Sequence, residues 1–191
     1  MKRLLFTAAI ATLALAATAQ NLQKGDYGYL YCHMSDRGEY TAYAISRDGY
    51  NYEDIIGGRA VIDPKVHARI EGGQRDAFIA RSWDGKGYVM VTTDMCVAKS
   101  HVWDNYGIDL LTSRDLIHWE SVTFDFRKGL EIFCDQAGGG SVYKDWSTVN
   151  RVWAPQIFWD PDYVWDNGDR GGYFIYYSMW NRGEEPYDRM Y

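Results

Sequence analysis

Several features are scarce in this sequence, and each scarcity narrows what the protein can be. The chain has only 4 prolines and 24% charged residues, so an intrinsically disordered protein is excluded. No run of lysine or arginine occurs, and 26 acidic residues outnumber 20 basic ones, so nucleic acid is not an expected partner. The three cysteines, Cys32, Cys96 and Cys134, are widely spaced. At most one disulfide can form, and three buried, inert thiols are an equal alternative.

A long apolar run occurs only at the N-terminus. Lys2 and Arg3 precede an apolar stretch over residues 4–17, which closes on the small-x-small pattern Ala17-Thr18-Ala19 read by signal peptidase. The stretch is too short for a stable membrane span, so no membrane association is expected. We therefore predict a signal peptide at residues 1–19, export to the periplasm or the cell exterior, and a domain over residues 20–191.

Aromatic residues, by contrast, are abundant. The sequence contains 8 Trp, 16 Tyr and 7 Phe. In an acidic, exported protein, such a composition suits a surface that stacks on sugar rings. The alternative is that these residues fill the core of an all-β fold, because aromatic side chains favour strands.

The pattern along the chain predicts an all-β fold. Short aromatic and β-branched segments alternate with turn dipeptides, and no convincing amphipathic helix occurs. Asp84-Gly85 is a strong hairpin signal, and the glycine-containing stretch 126–150 is predicted to be an inserted surface loop. The predicted strands cover residues 27–34, 40–46, 50–55, 77–82, 88–93, 107–112, 118–124, 157–159 and 173–179.

The predicted strands also repeat. Residues 46–52 (Ser-Arg-Asp-Gly-Tyr-Asn-Tyr) match residues 113–119 (Ser-Arg-Asp-Leu-Ile-His-Trp), and residues 84–91 similarly match residues 170–177. Repeats that each supply about four short strands are typical of β-propeller blades, which bury their faces by stacking around an axis. A β-sandwich with chance similarity is the alternative.

Three segments resemble glycoside hydrolase family 43, whose five-bladed propeller enzymes act on arabinose- and xylose-containing polysaccharides. Residues 75–79 (Arg-Asp-Ala-Phe-Ile) resemble the family's Arg-Asp-Pro-x-Ile strand, residues 113–119 its S-x-D-L-x-x-W segment, and residues 152–157 its Trp-Ala-Pro-(Asp/Glu) segment. The resemblance implies that Asp76 is the catalytic base, and it allows a structural Ca²⁺ whose ligands this sequence does not identify. Two departures stand out, because Ala77 replaces the family's Pro and Gln156 its acidic residue.

Inverting glycoside hydrolysis requires a base that activates water and an acid that protonates the leaving oxygen. Asp76 is our candidate base, with Arg75 beside it to steady the carboxylate or bind a hydroxyl; a merely structural Asp76 paired with Arg75 is the alternative. Asp63, which precedes Pro64, is a second candidate base because of its Asp-Pro dipeptide, but no apolar strand follows it. Asp94 and Gln156 are candidates for binding sugar hydroxyls, although Asp94 could instead cap a turn. The candidate stacking platforms, each of which could equally be a core residue, are Trp153, Trp103 and Trp83.

The family's general acid and the residue that tunes its pKa lie in motifs that this sequence lacks. The candidate acids Glu131, Glu184 and Glu185 do not stand in the Glu-Gly-Pro segment that surrounds the family's acid. We therefore expect the chain to hold two to three blades from the N-terminal part of such an enzyme, with the acid outside it. The function predicted is hydrolysis of arabinofuranosyl or xylosyl linkages of plant polysaccharide. The alternative is a non-catalytic carbohydrate-binding propeller or an inactive fragment. No histidine or aspartate spacing predicts a metal site.

Overall fold

The computed structural model describes residues 28–35, 38–128, 149–181 and 189–190, and in these residues the all-β prediction is confirmed. Helical structure there is limited to single turns, at Ile55–Gly57, Pro64–His67, Val97–Ser100 and Phe126–Lys128. The strands in chain order are β1 Tyr29–Ser35, β2 Tyr40–Ser46, β3 Glu53–Asp54, β4 Gln74–Arg81, β5 Tyr88–Asp94, β6 Gly107–Ser113, β7 Trp119–Asp125, β8 Val149–Val164, β9 Arg170–Asn181 and β10 Arg189–Met190.

The strands form three antiparallel sheets, and within each sheet the strands follow one another in chain order. The first sheet is β1-β2-β3, the middle sheet is β4-β5-β6-β7, and the third sheet is β8-β9-β10. The first strands of the sheets also contact one another in chain order, β1 with β4 and β4 with β8. This arrangement places β4 between the first strands of its two neighbours.

The middle sheet packs on both faces because apolar side chains of its central strands point to each face in turn. On β5, Val89 and Val91 pack toward the third sheet, together with Val152 and Ile157. The opposite face of the middle sheet packs against the first sheet. This second cluster comprises Tyr43, Ile62, Met90, Leu111 and Trp119.

The predicted repeat of residues 46–52 and 113–119 is confirmed as a structural repeat. In the first sheet, Asp48 Oδ1 accepts hydrogen bonds from the main-chain N–H groups of Tyr50 and Asn51, both at 2.8 Å. In the middle sheet, Asp115 Oδ1 accepts from the N–H groups of Ile117 and His118, at 2.9 and 2.8 Å. Hydrogen bonds from Asn51 lower the pKa of the Asp48 carboxyl below its ordinary value, and hydrogen bonds from the His118 side chain and then from the main chain do the same at Asp115.

Some sequence-based boundaries are wrong. The strand predicted over residues 50–55 is reduced to Glu53–Asp54, because residues 55–57 turn into a 3₁₀ helix. The predicted loop 126–150 is too long at both ends: Phe126 is 3% exposed in the core, and residues 149–150 already belong to β8.

Some predictions fall on residues outside the described part of the chain. The predicted signal peptide at 1–19, Cys134, Glu131, Glu184 and Glu185 are among them. Within the described residues, no helix has the length and apolar character needed to cross a membrane.

Candidate active site

Asp76 is presented to solvent by a β-bulge near the start of β4. Arg75 pairs with Thr93 and Phe78 pairs with Val91, so the two residues Asp76 and Ala77 face a single residue of β5. Asp76 has a φ of 54°, in the left-handed region that Asp tolerates better than most residues. A bulge of this kind changes the direction of a side chain within a strand. Asp76 is therefore exposed in a strand whose other residues are mostly only partly exposed.

The third sheet repeats this bulge in β8. Trp153 pairs with Ser178 and Gln156 pairs with Tyr176, which leaves Ala154 and Pro155 opposite one residue, and Ala154 has a φ of 48°. Asp76-Ala77 and Ala154-Pro155 thus have the same local backbone structure. The replacement of the family's Pro by Ala77 does not prevent the bulge from forming.

Thr93 connects the two bulges. Its side chain is fully buried, its hydroxyl donates to Asp76 Oδ2 at 3.0 Å, and it accepts a hydrogen bond from the N–H of Ala154 at 2.9 Å. Because the amide N–H approaches the hydroxyl oxygen as a donor, the single hydroxyl hydrogen is left to point at Asp76. The sequence analysis did not identify Thr93, since nothing in the Thr-Thr-Asp end of β5 distinguishes it from an ordinary strand residue.

Arg75 does not pair with Asp76 in the described structure. Its Nη1 donates to Glu39 Oε1 at 3.1 Å, and the second oxygen of Glu39 accepts from the N–H of Ala98 at 2.8 Å. Both side chains of the ion pair are largely buried, at 14% and 15% exposure. The alternative in which Asp76 is a structural partner of Arg75 is therefore wrong, and Arg75 ties β4 to the loop before β2.

Two of the candidate stacking tryptophans, which are distant in the sequence, meet beside Arg75. The Arg75 guanidinium lies 5.3 Å from the centre of the Trp103 ring, and Trp103 meets Trp153 edge to face at 6.2 Å. The Arg151 guanidinium also lies over the Trp153 ring, 4.9 Å from its centre. Trp103 is 55% exposed, whereas Trp153 is partly buried. The fold thus brings Arg75, Trp103 and Trp153 together next to the Asp76 bulge.

Asp94 has a structural environment. It is fully buried, and its carboxylate accepts hydrogen bonds from the N–H groups of Ile70, Glu71 and Gly72 at 2.8 to 2.9 Å. A side chain that is fully shielded from solvent and already accepts three main-chain hydrogen bonds cannot reach a substrate hydroxyl. The geometry corrects the sugar-binding interpretation of Asp94 in favour of the turn-capping alternative.

The remaining candidates make other contacts in the described residues. Gln156 follows the bulge of the third sheet, and its Oε1 accepts a hydrogen bond from the Tyr176 hydroxyl. Asp63 is the N-cap of the Pro64–His67 helix and accepts from the N–H of Lys65 at 3.0 Å, which accounts for its Asp-Pro dipeptide. Trp83 follows the other end of β4, away from the bulge.

The carboxyl group of Asp109 has a strongly raised pKa. Burial, followed by repulsion from Asp94, raises the pKa of Asp109 to about 8. Such a group would suit a general acid, but its partners are Thr92 at 3.2 Å and Thr123 at 2.6 Å. Thr92 and Thr93 are adjacent on a strand, so their side chains point to opposite faces of the middle sheet. Asp109 therefore cannot face a substrate held at Asp76.

A metal centre has no support in the described residues. They contain no group of three or more His, Cys, Asp or Glu side chains arranged to hold an ion. The structural Ca²⁺ allowed by the resemblance thus finds no donor set in this part of the chain, and no chemical step is assigned to it.

The relation to known proteins agrees with this geometry. The model of a family described as "Probable glycosyl hydrolase domain", related to glycoside hydrolase family 43, matches residues 25–191. An alpha-L-arabinofuranosidase of Bifidobacterium longum subsp. longum is 26% identical over 128 residues, which cover 64% of this chain and 11% of the relative's length. No solved structure shows a significant match. Because the family model extends over nearly the whole chain, the protein belongs to this family of glycosyl hydrolase domains related to family 43.

Proposed function

We propose that the protein hydrolyses arabinofuranosyl or xylosyl linkages of plant polysaccharides by an inverting mechanism, with Asp76 as the general base. Family membership and the arabinofuranosidase relative support a glycosidase. The observation that carries the assignment to Asp76 is its position: an exposed carboxylate on a positive-φ bulge, oriented by a buried hydroxyl.

In this reaction the Asp76 carboxylate takes a proton from a water molecule while the water oxygen attacks the anomeric carbon. The bond to the leaving oxygen breaks on the opposite face of the sugar, and a carboxylic acid roughly 6.5–9.5 Å from the base donates a proton to that oxygen. The nearby carboxylates of Glu39 and Asp94 are committed to Arg75 and to main-chain N–H groups. The described residues thus supply the base, and we assign the acid to none of them.

The substrate would be bound beside Asp76 by Trp103 and Trp153. Trp103 presents an exposed aromatic surface, and the apolar face of a pentose ring packs well on such a surface. The architecture fits this proposal, since β4 lies between the first strands of the neighbouring sheets, as the inner strand of a propeller blade does. We infer that the three sheets are consecutive blades of a propeller of the five-bladed type.

The test is hydrolysis of 4-nitrophenyl α-L-arabinofuranoside and 4-nitrophenyl β-D-xylopyranoside by the full-length protein and its Asp76→Asn variant. We expect kcat to fall by about 10²–10⁴-fold in the variant, because the amide cannot accept the proton from water. Asp162→Asn is the matched control, because Asp162 is exposed and its carboxylate has no hydrogen bond in the described residues. Proton NMR of the first-formed sugar reports inversion. Normal turnover by Asp76→Asn would remove Asp76 as the base, and retention of configuration would refute the mechanism.

A further inference from the structure

A cleft with no assigned role opens at the end of the middle sheet that lies away from Asp76. It has a volume of about 510 Å³ and is lined by the β4–β5 turn, the β6–β7 turn and Tyr173 of the third sheet. At about 3.3 Å per residue, the extended chain from Asp76 to Ser82 places this cleft roughly 20 Å from the Asp76 carboxylate. A ligand in this cleft would therefore not contact the proposed base.

Trp83 provides an aromatic platform in this cleft. It is 66% exposed, although its ring stacks on Trp159 with 5.7 Å between centroids and 27° between planes. Its main-chain N–H donates to the Tyr173 hydroxyl at 2.8 Å, and Trp159 in turn meets the Tyr173 ring at 4.9 Å. One side of the Trp83 ring is thus supported while most of its surface faces solvent. A platform held in this way loses little conformational entropy when a ligand binds.

Two polar side chains of the cleft are available to a ligand. Arg114 and Glu120 line it, and neither makes a side-chain hydrogen bond in the described part of the chain. The carboxylates of Asp84 and Asp115, in contrast, already accept N–H groups of their own turns.

Arg114, Glu120 and Trp83 thus offer a ligand a cation, an anion and an exposed aromatic surface. They do not suit a polyanion, which needs clustered basic residues. A neutral sugar ring offers an apolar face for stacking and hydroxyls that both donate and accept, so it matches all three groups.

We propose that this cleft is a second carbohydrate-binding site, in which Trp83 stacks on a pentose ring and Arg114 and Glu120 bind its hydroxyls. The site would hold a polysaccharide chain while another part of it is cleaved at Asp76. The choice of a pentose polymer rests on the proposed function, whereas the site itself rests on the geometry of the cleft.

The test compares binding of soluble wheat arabinoxylan to the full-length protein and its Trp83→Ala variant by isothermal titration calorimetry. The variant should bind at least about tenfold more weakly, as expected for loss of an aromatic anchor. Trp83→Phe, which keeps an aromatic plane, should retain more of the affinity. The matched control is Tyr50→Ala, since Tyr50 is an aromatic residue that is 90% exposed in the β2–β3 turn of the first sheet and lies outside the cleft. Hydrolysis of the small aryl glycosides should be the same in all of these proteins.

The outcomes separate the two proposals. Unchanged arabinoxylan affinity in Trp83→Ala, or an equal loss in Tyr50→Ala, would overturn the second site while leaving the proposed hydrolysis untouched. Binding that depends on Trp83 in a protein that cleaves no aryl glycoside would support the second site and refute the proposed hydrolysis. Equal thermal melting temperatures of variant and parent establish that a lost affinity is not a loss of folding.

Discussion

Replacing Thr93 by valine should impair the proposed catalysis more than it impairs the fold. Thr93→Val preserves the shape of the side chain but removes the hydroxyl that contacts both Asp76 Oδ2 and the N–H of Ala154. The N–H of Ala154 is part-buried, so leaving it without this partner should cost at most about 1–3 kcal/mol of folding free energy. Without the hydroxyl, the Asp76 carboxylate loses the contact that fixes its rotation.

The expected magnitude for catalysis follows from positioning. A base displaced by about 1 Å from the water it activates can lose about 10²-fold in rate, so we expect kcat for aryl arabinofuranoside to fall by roughly 10- to 100-fold. The KM should change little, because Thr93 is fully buried and cannot contact the substrate. Thr93→Ser keeps the hydroxyl and should restore most of the turnover.

The assay is steady-state kinetics of the three proteins, with urea unfolding measured in parallel. A purely structural role for Thr93 would lower stability in Thr93→Val while kcat per folded molecule stayed at the wild-type value, and this result would refute the reasoning. The reasoning would also fail if Thr93→Ser were as slow as Thr93→Val, because then the hydroxyl would not be the group that matters.

Two further predictions concern stability. Burial and repulsion from Asp94 raise the pKa of Asp109 from 3.8 to about 8. Between these pH values the folded protein therefore binds more protons than the unfolded chain does. Its free energy of unfolding should fall as the pH rises from 4 to 8, by at most about 1.4 kcal/mol per pH unit. Asp109→Asn should flatten this dependence in urea unfolding at pH 5 and pH 8; an equally steep loss in the variant would assign it to other groups. Gly171→Ala should destabilise the protein more than Gly168→Ala. Both glycines have a positive φ, so backbone strain affects both variants. An added Cβ at Gly171 would lie 2.1 Å from Trp159, whereas nothing lies within 4 Å of one added at Gly168. Equal unfolding midpoints of these two variants would show that the Trp159 contact is unimportant.

The sequence predicted the local elements of this fold well. Hairpin dipeptides and alternating apolar residues located most strands, and the Ser-x-Asp turns at residues 46–52 and 113–119 were recognisable because their hydrogen bonds join residues only two or three apart. The shortened strand at Glu53–Asp54 shows the limit. Its aromatic neighbours favour extended structure, yet the chain turns at Ile55–Gly57.

The candidate site was predictable only in part, because its geometry depends on contacts between distant segments. Asp76 was identified through a motif, and the motif corresponds to a local bulge. The partner of Arg75 is Glu39, which is 36 residues away, and no pattern in the sequence indicates that pairing. Asp94 likewise resembles a free strand-end carboxylate in the sequence, and only the folded chain shows the 70–72 loop closing over it.

The two bulges explain how two adjacent sheets with the same local backbone structure present only one exposed carboxylate. Asp76 and Ala154 occupy the same position of the bulge, with a left-handed backbone conformation, in the first strands of their sheets. In both sheets the residue at this position is exposed. Only the middle sheet places a carboxylate there. In the third sheet, the main-chain N–H of Ala154 donates to the Thr93 hydroxyl, which in turn donates to Asp76. The alanine of one bulge thus contributes to the site through its backbone, and the aspartate of the other through its side chain.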